Sequence, residues 1–310
     1  MERSADAERR SVRRYALPLV TAGAGVLAIA AVPLARRARR LLPPKLADMA
    51  VSAGMAGVGW MMLAVAERVA PHRDEWNEPD EEAGTDLTYL LVALAPTALG
   101  ANALAGALAR PGAGSRRDAR WSWPHHWPLA ARVGLALLST ELVHYWHHRT
   151  AHRIDPLWKA HAIHHSEKRL YWVNGTRFHP IDEVPLIALQ ALALRLLDVG
   201  PDELVVHNSF KLIHGLLQHA NIDGNMGPAQ RIFSTAEQHR MHHAPTVPKK
   251  AVNYGAVLSV WDQLFGTAAR PAPGSEVDRI GLLDHDEVPW RFGEQMLVPF
   301  RSQGSIATGA

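Results

Sequence analysis

The chain has 310 residues, contains no cysteine and carries a formal net charge of +3 with its histidines neutral. The lack of cysteine excludes disulfides, cysteine-ligated zinc, iron–sulfur clusters and thiolate-bound haem, so imidazole and carboxylate are the available metal ligands. The arginines lie beside apolar segments and not in one long basic run, which indicates charges that flank membrane helices and argues against nucleic-acid binding.

The N-terminal part of the chain predicts membrane helices that follow a charged tail at 1–14. Residues 15–35, 49–66 and 87–109 contain no charged side chain. Each run approaches or exceeds the roughly 20 apolar residues that a helix needs to cross a bilayer. A fourth apolar helix begins near residue 129. The predicted fold class is therefore all-α: an integral membrane helical bundle with three to four spanning helices, capped by a histidine-rich cytosolic helical region.

The loop charges leave two topologies open. The loop at 67–86 is acidic, which suits the outer face, whereas arginines at 36–40 and 110–120 suit the inner face. Four spans would put both basic loops on the side opposite the histidine-rich half. Three spans with an interfacial fourth helix would put them all inside, and the charge rule favours this arrangement. We expect a multi-pass protein of a bacterial cell membrane with the histidine-rich half on the cytoplasmic side.

Two histidine clusters dominate the second half of the chain. Seven of the 18 histidines lie within 141–165, and three more lie within 239–243. Both clusters contain the pattern H-x-x-H-H, which on a helix turns all three imidazoles to one side within about one turn. Two such turns predict room for two metal ions. On a predicted helix at 129–153, Glu141, His144, His148 and His152 also share one face, with His147 to the side.

A helical hairpin embedded in the membrane is predicted at 183–220, between the two histidine clusters. Its second helix ends with His214, His219 and Asn221. The two histidines are five residues apart, about 140° around a helix, so they cannot both face one metal. We therefore favour His219, together with Asn221, as the residues of this helix that face the metal site. Residues 271–310 are predicted to be a surface tail. We also divide the chain into a transmembrane region of helices and loops at 15–128 and a histidine-bearing region at 129–270, which includes the hairpin.

The ordered segments HHRTAH, HAIHHS, RFHPID, QHANI, QHRMHH and WDQLFGT resemble the fatty acid hydroxylase / sterol desaturase superfamily over roughly 86–267. The resemblance implies an integral membrane oxygenase with a di-iron centre, in which zinc could replace iron. Such an enzyme uses dioxygen to hydroxylate or desaturate a lipid, for example a fatty acyl chain, a sterol or a carotenoid. It also implies a separate electron donor, either a ferredoxin or a small haem carrier with its reductase. The implied metal ligands are His148, His152, His161, His164, His165, His219, His239, His242 and His243.

Other polar residues near these motifs are predicted to support the ligands or to join them. Carboxylates that accept hydrogen bonds from outer ring nitrogens would offset the charge of two metal ions. These supporting residues, or possible further ligands, are Glu141, His144, His179, His214, Asn221, Asp182 and Glu237.

Two other functions fit the histidines: a haem-binding electron-transfer protein, and a zinc-stabilised membrane scaffold without redox chemistry. The scaffold stays open because imidazole binds zinc as well as iron.

Overall fold

The computed structural model describes residues 2–78, 80–108, 123–245, 252–270, 277, 279–282 and 288–301. Within these residues the chain is helical, with two isolated backbone bridges and no β-strand. The predicted all-α class is confirmed. The arginines at 110–120 lie outside the described residues.

Eleven α-helices follow one another in the described residues, joined by turns and short 3₁₀ segments. Their bounds are α1 Glu2–Ala38, α2 Pro44–Val69, α3 Ala83–Thr88, α4 Leu94–Leu108, α5 Leu129–Ala151, α6 Asp155–His165, α7 Pro180–Leu196, α8 Pro201–Leu217, α9 Ala236–His243, α10 Val260–Leu264 and α11 Phe292–Gln295. A five-residue π-helical segment, Tyr89–Ala93, joins α3 to α4. The predicted run at 87–109 is therefore not one regular helix.

Among the long helices, α8 packs against α1 and α2. The contact between α2 and α8 is close at Gly59, where an added Cβ atom would lie 2.4 Å from Ile213 Cγ1. The indole of Trp60 donates to the carbonyl of Leu212 at 2.8 Å across the same contact. A glycine at this position lets the two helix backbones approach, as small residues do between membrane helices.

The other side of the bundle is built by α4, α5 and α7. Small side chains of α4, Ala101 and Ala105, pack on Ala188 of α7. Helix α5 contacts both α7 and α8 and runs back toward the start of α1. Most of the predicted histidines lie at one end of the bundle. The elements that end there are α5, α8 and the loop before α9.

Within the part of the chain that the structure describes, two helices have the length and apolar composition to cross a membrane: Tyr15–Ala38, with a mean hydropathy of 2.0, and Pro44–Val69, with 1.7. Their outward faces carry exposed apolar side chains such as Leu19, Ile29 and Met61. Such faces suit contact with lipid chains. Membrane association is thus supported by these two helices.

The basic loop after α1 lies at the bundle end opposite the histidines, contrary to the favoured topology. Arg36 and Arg39 bond Asp202 at the start of α8, with nitrogen–oxygen distances of 2.6 and 2.7 Å. His219 follows the other end of α8, about 25 Å away for a 17-residue helix. This placement matches the four-span alternative. Because arginines also precede α1, loop charge alone does not decide which end faces the cytoplasm.

The C-terminal segment is not a surface tail throughout. Leu282, Val288 and Val298 are buried against Trp158 and Ile163 of α6. The Gln295 side chain is fully buried and accepts a 2.9 Å hydrogen bond from the Tyr89 hydroxyl. The apolar residues of this segment are too few to predict burial from sequence, yet they cover the outer side of the helix that carries three of the histidines.

Candidate metal centre

The structure brings the nine histidines of the predicted ligand set together in two adjacent groups. In each group, one nitrogen from every ring lies within 4.8 Å of the corresponding nitrogens of the others. Group A consists of His148, His152, His161, His165 and His242, and group B of His164, His219, His239 and His243. The rings of His165 and His243 stack with centroids 4.2 Å apart, so the two groups share a wall.

Four short stretches of chain supply these side chains, and local helix geometry explains their convergence. The last turn of α5 and the residue after it provide His148 and His152, four positions apart. Helices α6 and α9 each provide three histidines in the H-x-x-H-H spacing, which places them on one side of a turn. His219 comes from the tight turn after α8. Each H-x-x-H-H triplet is split between the two groups.

Hydrogen bonds to the outer ring nitrogens orient three rings of group A. His148 Nδ1 donates to the Tyr254 carbonyl at 2.8 Å, and His242 Nδ1 donates to the Val252 carbonyl at 2.9 Å. His161 Nδ1 lies 2.8 Å from the Asp182 carboxylate. A neutral imidazole that donates through Nδ1 has a bare lone pair at Nε2. Three lone pairs therefore point into the centre of group A.

The inner nitrogens of group A are arranged as ligands around a cation. His152 Nε2 lies 3.2 Å from His148 Nε2 and 3.1 Å from His242 Nε2. Two ligands at right angles on a metal with bonds of about 2.1 Å lie about 3.0 Å apart, so these spacings fit. In addition, Nε2 of His161 and of His165 is buried with no hydrogen-bond partner in the described residues. Buried lone pairs without donors are costly unless a cation binds them.

Group B repeats this arrangement with four rings. His164 Nε2 and His219 Nε2 are 3.2 Å apart, and His239 Nε2 and His243 Nε2 are 3.0 Å apart. The side chains are 4% exposed or less. Imidazole nitrogens suit iron, zinc and copper, and nine of them exceed the coordination number of one ion. The two groups therefore form a candidate two-metal site.

Asn174 fixes the tautomer of His219. Its amide nitrogen donates to the Arg169 carbonyl at 2.8 Å, and its amide oxygen accepts from the Tyr171 backbone N–H at 3.1 Å. The same oxygen lies 3.0 Å from His219 Nδ1. Because the amide orientation is fixed by the first two bonds, His219 Nδ1 must be the donor, and its Nε2 lone pair faces group B.

The loop at 252–262, whose carbonyl groups orient two rings of group A, is held by two buried carboxylates. Glu141 of α5 accepts backbone hydrogen bonds from residues 256, 257 and 258 at 3.1, 2.7 and 3.2 Å. Asp262 accepts the backbone N–H groups of Tyr254 and Gly255, each at 2.8 Å. An added Cβ atom at Gly255 would lie 2.2 Å from the Leu258 carbonyl oxygen, so this tight loop requires glycine. The loop thus presents the Tyr254 carbonyl to His148.

Burial sets the protonation of the site residues outside the spanning helices. Burial, together with the neighbouring histidines, lowers the pKa of His165 and His239 well below the usual histidine range. It lowers the pKa of His242 to about 3. These rings are neutral at pH 7, the form that binds metal. Although burial alone raises the pKa of Asp182, the adjacent His161 and His147 hold it below its usual range.

Two predicted residues lie beside group A without joining it. The His144 ring contacts the His148 ring, with centroids 5.5 Å apart. Asp182 accepts from both His161 and His147, the second contact being 2.7 Å, so His147 shares the carboxylate that orients a group A ring. Glu141 acts on the 252–262 loop and makes no hydrogen bond to a histidine in the part of the chain that the structure describes.

Four other predicted residues lie away from both groups. Asn221 bonds the backbone of Arg73 because the chain turns after His219. His179 caps α7, and its Nδ1 accepts from the Ile181 backbone N–H at 3.1 Å.

Glu237 bonds Gln230 and Asn225 on the outer side of α9. The His214 ring packs against Phe210 and Phe233, with centroid distances of 5.1 and 5.7 Å. Its position agrees with the expectation that His214 and His219 do not face one metal.

Three residues that support the histidines were missed from the sequence: Asn174, Asp262 and Glu167. Asn174 stands before Gly175 in a pair typical of turns, which gives no sign of a contact with His219. Asp262 lies in the segment WDQLFGT, which resembles the family, but no spacing marks it as a partner of Tyr254 and Gly255, eight and seven residues earlier. Glu167 lies two residues after the last histidine of α6, and its contacts come from other parts of the chain. All three act through tertiary contacts that leave no periodic pattern.

Comparison with known proteins gives consistent matches. A family model described as fatty acid hydroxylase matches residues 133–267, the region that contains all nine histidines. Ornithine lipid hydroxylase OlsE of Rhizobium tropici is 34% identical over 78% of this chain and 73% of its own length.

The alkylglycerol monooxygenases of Danio rerio and Homo sapiens are 31% and 30% identical over 49% and 48% of this chain. The matched region is 31% of either monooxygenase, so the chain covers about a third of those proteins. No solved structure matches the chain.

Proposed function

The chain belongs to the fatty acid hydroxylase family, a family of lipid oxidoreductases, and from that premise we propose that it is a membrane-bound di-iron oxygenase. Group A and group B would each hold one iron ion. The observation that carries this proposal is the convergence of nine buried imidazoles. Four of these rings bond the protein through an outer nitrogen and direct an inner lone pair at the other rings: His148, His161, His242 and His219.

A pair of iron ions supplies the activation of dioxygen, with two external electrons, for oxidation of an unactivated C–H bond. The protein's own part is to hold the rings in place. Carbonyl groups of the 252–262 loop and the Asp182 carboxylate fix ring orientation in group A, and Asn174 does so in group B. The burial of these side chains excludes bulk water from the site, which protects a reactive oxidant from side reactions.

The substrate we propose is a membrane lipid that reaches the site from the bilayer. The two spanning helices carry apolar side chains on their outer faces, and the histidines lie at one end of the same bundle. One relative, matched over 246 residues, is a hydroxylase of ornithine lipid, and two others are monooxygenases of alkylglycerols. These names favour hydroxylation over desaturation and make a polar glycerolipid or amino-acid lipid the first substrate to test.

Electrons would come from a separate protein, a ferredoxin or a small haem carrier with its reductase. The 310 residues contain no cysteine that could ligate an iron–sulfur cluster or a thiolate-bound haem as an electron carrier. We propose that the histidine end of the bundle faces the cytoplasm, because reduced electron carriers are found there.

A zinc-stabilised scaffold is the competing function, since the same nitrogens bind zinc. A haem protein is less suitable, because haem takes two axial ligands whereas nine imidazoles converge here. Metal analysis of purified, iron-grown protein, combined with dioxygen consumption after addition of a reductant, separates oxygenase from scaffold. The oxygenase holds iron and consumes dioxygen, whereas a scaffold holds zinc and does not.

The direct test of function is comparative lipid mass spectrometry of cells that produce the wild-type chain or a variant. We expect lipids heavier by one oxygen atom, or lighter by two hydrogen atoms for desaturation, with the wild type. His239→Ala should abolish the product because it removes a group B ligand. The matched control is His126→Ala, an exposed histidine at the opposite end of the bundle, which should keep the product. Identical lipids in all three strains would contradict the proposal.

A further inference from the structure

Glu167 is a buried carboxylate that points toward group B. It follows α6 by two residues, and its side chain is 1% exposed. One carboxylate oxygen lies 3.2 Å from His219 Nδ1, on the side of the ring that faces away from the other group B nitrogens. Neither oxygen accepts a hydrogen bond within the part of the chain that the structure describes.

The nearest cation to Glu167 is the guanidinium of Arg177, at 3.6 Å. That guanidinium is already bonded by other carboxylates. Its Nη1 donates to Glu82 at 2.8 Å, and its Nε donates to Asp86 at 2.7 Å. Glu82 is also paired with the Lys168 ammonium at 3.8 Å. Three carboxylates and two cations therefore leave a formal excess of one negative charge beside four uncharged imidazoles.

Ion pairing with Arg177 does not account for this third carboxylate. Two carboxylates already satisfy the arginine, and a third buried carboxylate that accepts no hydrogen bond is unfavourable there. A cation among the group B nitrogens would offset that cost. Carboxylates placed behind metal-binding histidines raise the basicity of the ring and hold its orientation, and they are worth about 10- to 100-fold in metal affinity.

We propose that Glu167 is a positioning residue of group B, which lies behind the His219 ring and balances the charge of a metal ion held there. The Nδ1 hydrogen of His219 is donated to Asn174, so Glu167 acts through its charge. Asp182 occupies the corresponding place behind His161 in group A, at 2.8 Å. Each metal group then has one carboxylate beside the outer nitrogen of one ligand. The inference rests on the proposed two-metal function.

The test uses full-length protein in detergent, loaded with iron and dialysed against increasing concentrations of a chelator. Metal per chain is measured by mass spectrometry. Glu167→Gln keeps the shape and removes the charge, so we expect it to lose one of two metal ions at a 10- to 100-fold lower chelator concentration than the wild type. Glu237→Gln is the matched control, since Glu237 bonds Gln230 and Asn225 and touches no histidine; it should behave as wild type.

Combination with ligand variants identifies the group affected. In a His242→Ala background, in which only group B is complete, Glu167→Gln should weaken the remaining metal. In a His239→Ala background, in which only group A is complete, it should have no effect. Metal-free Glu167→Gln should unfold at the same temperature as metal-free wild type or higher, because it removes a buried carboxylate that accepts no hydrogen bond from the described residues. A merely structural role would lower that temperature and weaken both metals equally.

The outcomes distinguish failure of the proposed role of Glu167 from failure of the proposed two-metal function. A wild type that binds fewer than two metal ions overturns the proposed two-metal function and this inference with it. A wild type that binds two ions, with Glu167→Gln holding both as tightly, overturns only the role of Glu167. Equal loss of both ions, or an effect in the His239→Ala background, also overturns that role.

Discussion

Asp182 and His161 form the carboxylate–histidine pair of group A, with the Asp182 Oδ2 atom 2.8 Å from His161 Nδ1. The other oxygen of Asp182 lies 2.7 Å from His147 Nε2. One side chain at the first turn of α7 therefore holds rings from both α5 and α6. Because His161 donates through Nδ1, its Nε2 lone pair is directed at four other imidazoles.

Asp182→Asn should weaken metal binding at group A. The amide keeps the size of the side chain and removes its charge, so His161 loses basicity and His147 loses an anionic partner. We expect metal affinity at one of two sites to fall about 10- to 100-fold. Chelator titration of metal per chain measures it. Glu183→Gln, at the neighbouring position, is the control and should change little; an equal effect from both variants would contradict the role of Asp182.

Glu141 and Lys211 should show strong coupling in a double-mutant cycle. The Lys211 ammonium lies 3.0 Å from the fully buried Glu141 carboxylate. Glu141→Gln leaves that ammonium without a carboxylate, which costs about 3–5 kcal/mol when a buried pair is broken. Adding Lys211→Met removes the stranded charge, so the double variant should recover much of the loss. Thermal unfolding in detergent measures all four proteins. Additive effects would show that the pair is not coupled.

Two glycines of α2 should respond oppositely to alanine. At Gly59 an added Cβ atom meets Ile213, whereas at Gly57 it meets nothing within 4 Å. Gly59→Ala should therefore destabilise the bundle by about 1–3 kcal/mol through overpacking. Gly57→Ala should be neutral or stabilising by up to about 1 kcal/mol, because alanine favours the helix.

Unfolding temperatures of the two single variants give the comparison. Ile213→Ala in the Gly59→Ala background provides space for the methyl group and should restore part of the loss. A Gly59→Ala variant as stable as Gly57→Ala would contradict the close α2–α8 packing.

Metal-free protein should lose stability as the pH falls below about 6.5. Burial lowers the pKa of His242 from 6.5 to about 3 in the folded chain. Between those two values the unfolded chain binds the proton and the folded chain does not, so stability falls with falling pH. Each such histidine contributes about 1.4 kcal/mol per pH unit in that window. Thermal unfolding of chelator-treated protein from pH 8 to pH 5 checks this. An unfolding temperature that does not change across that range would contradict the burial of neutral histidines.

The convergence of the histidines was predictable because helix periodicity is local. The H-x-x-H-H triplets of α6 and α9 define one side of a turn wherever the helices lie, and the structure shows both triplets facing a common centre. The predicted bounds of α5, α7 and α8 were also close to those of the structure, because proline and apolar runs mark them.

The supporting shell was not predictable in the same way. The contact between Asn174 and His219 joins residues 45 positions apart, and Glu141 meets the 252–262 loop across more than a hundred. No periodic pattern records such contacts. The placement of the Arg36–Arg39 end opposite the histidines also required the packing of α1 on α8, since loop charge alone favoured the other topology.

The central claim is that two metal ions are held by two distinct histidine groups. Metal content per chain of iron-loaded protein, for the wild type and for His242→Ala and His239→Ala variants, tests it directly. We expect two ions in the wild type, one ion in either single variant and none in the double variant. A wild type with no stoichiometric metal, or single variants that keep both ions, would contradict it.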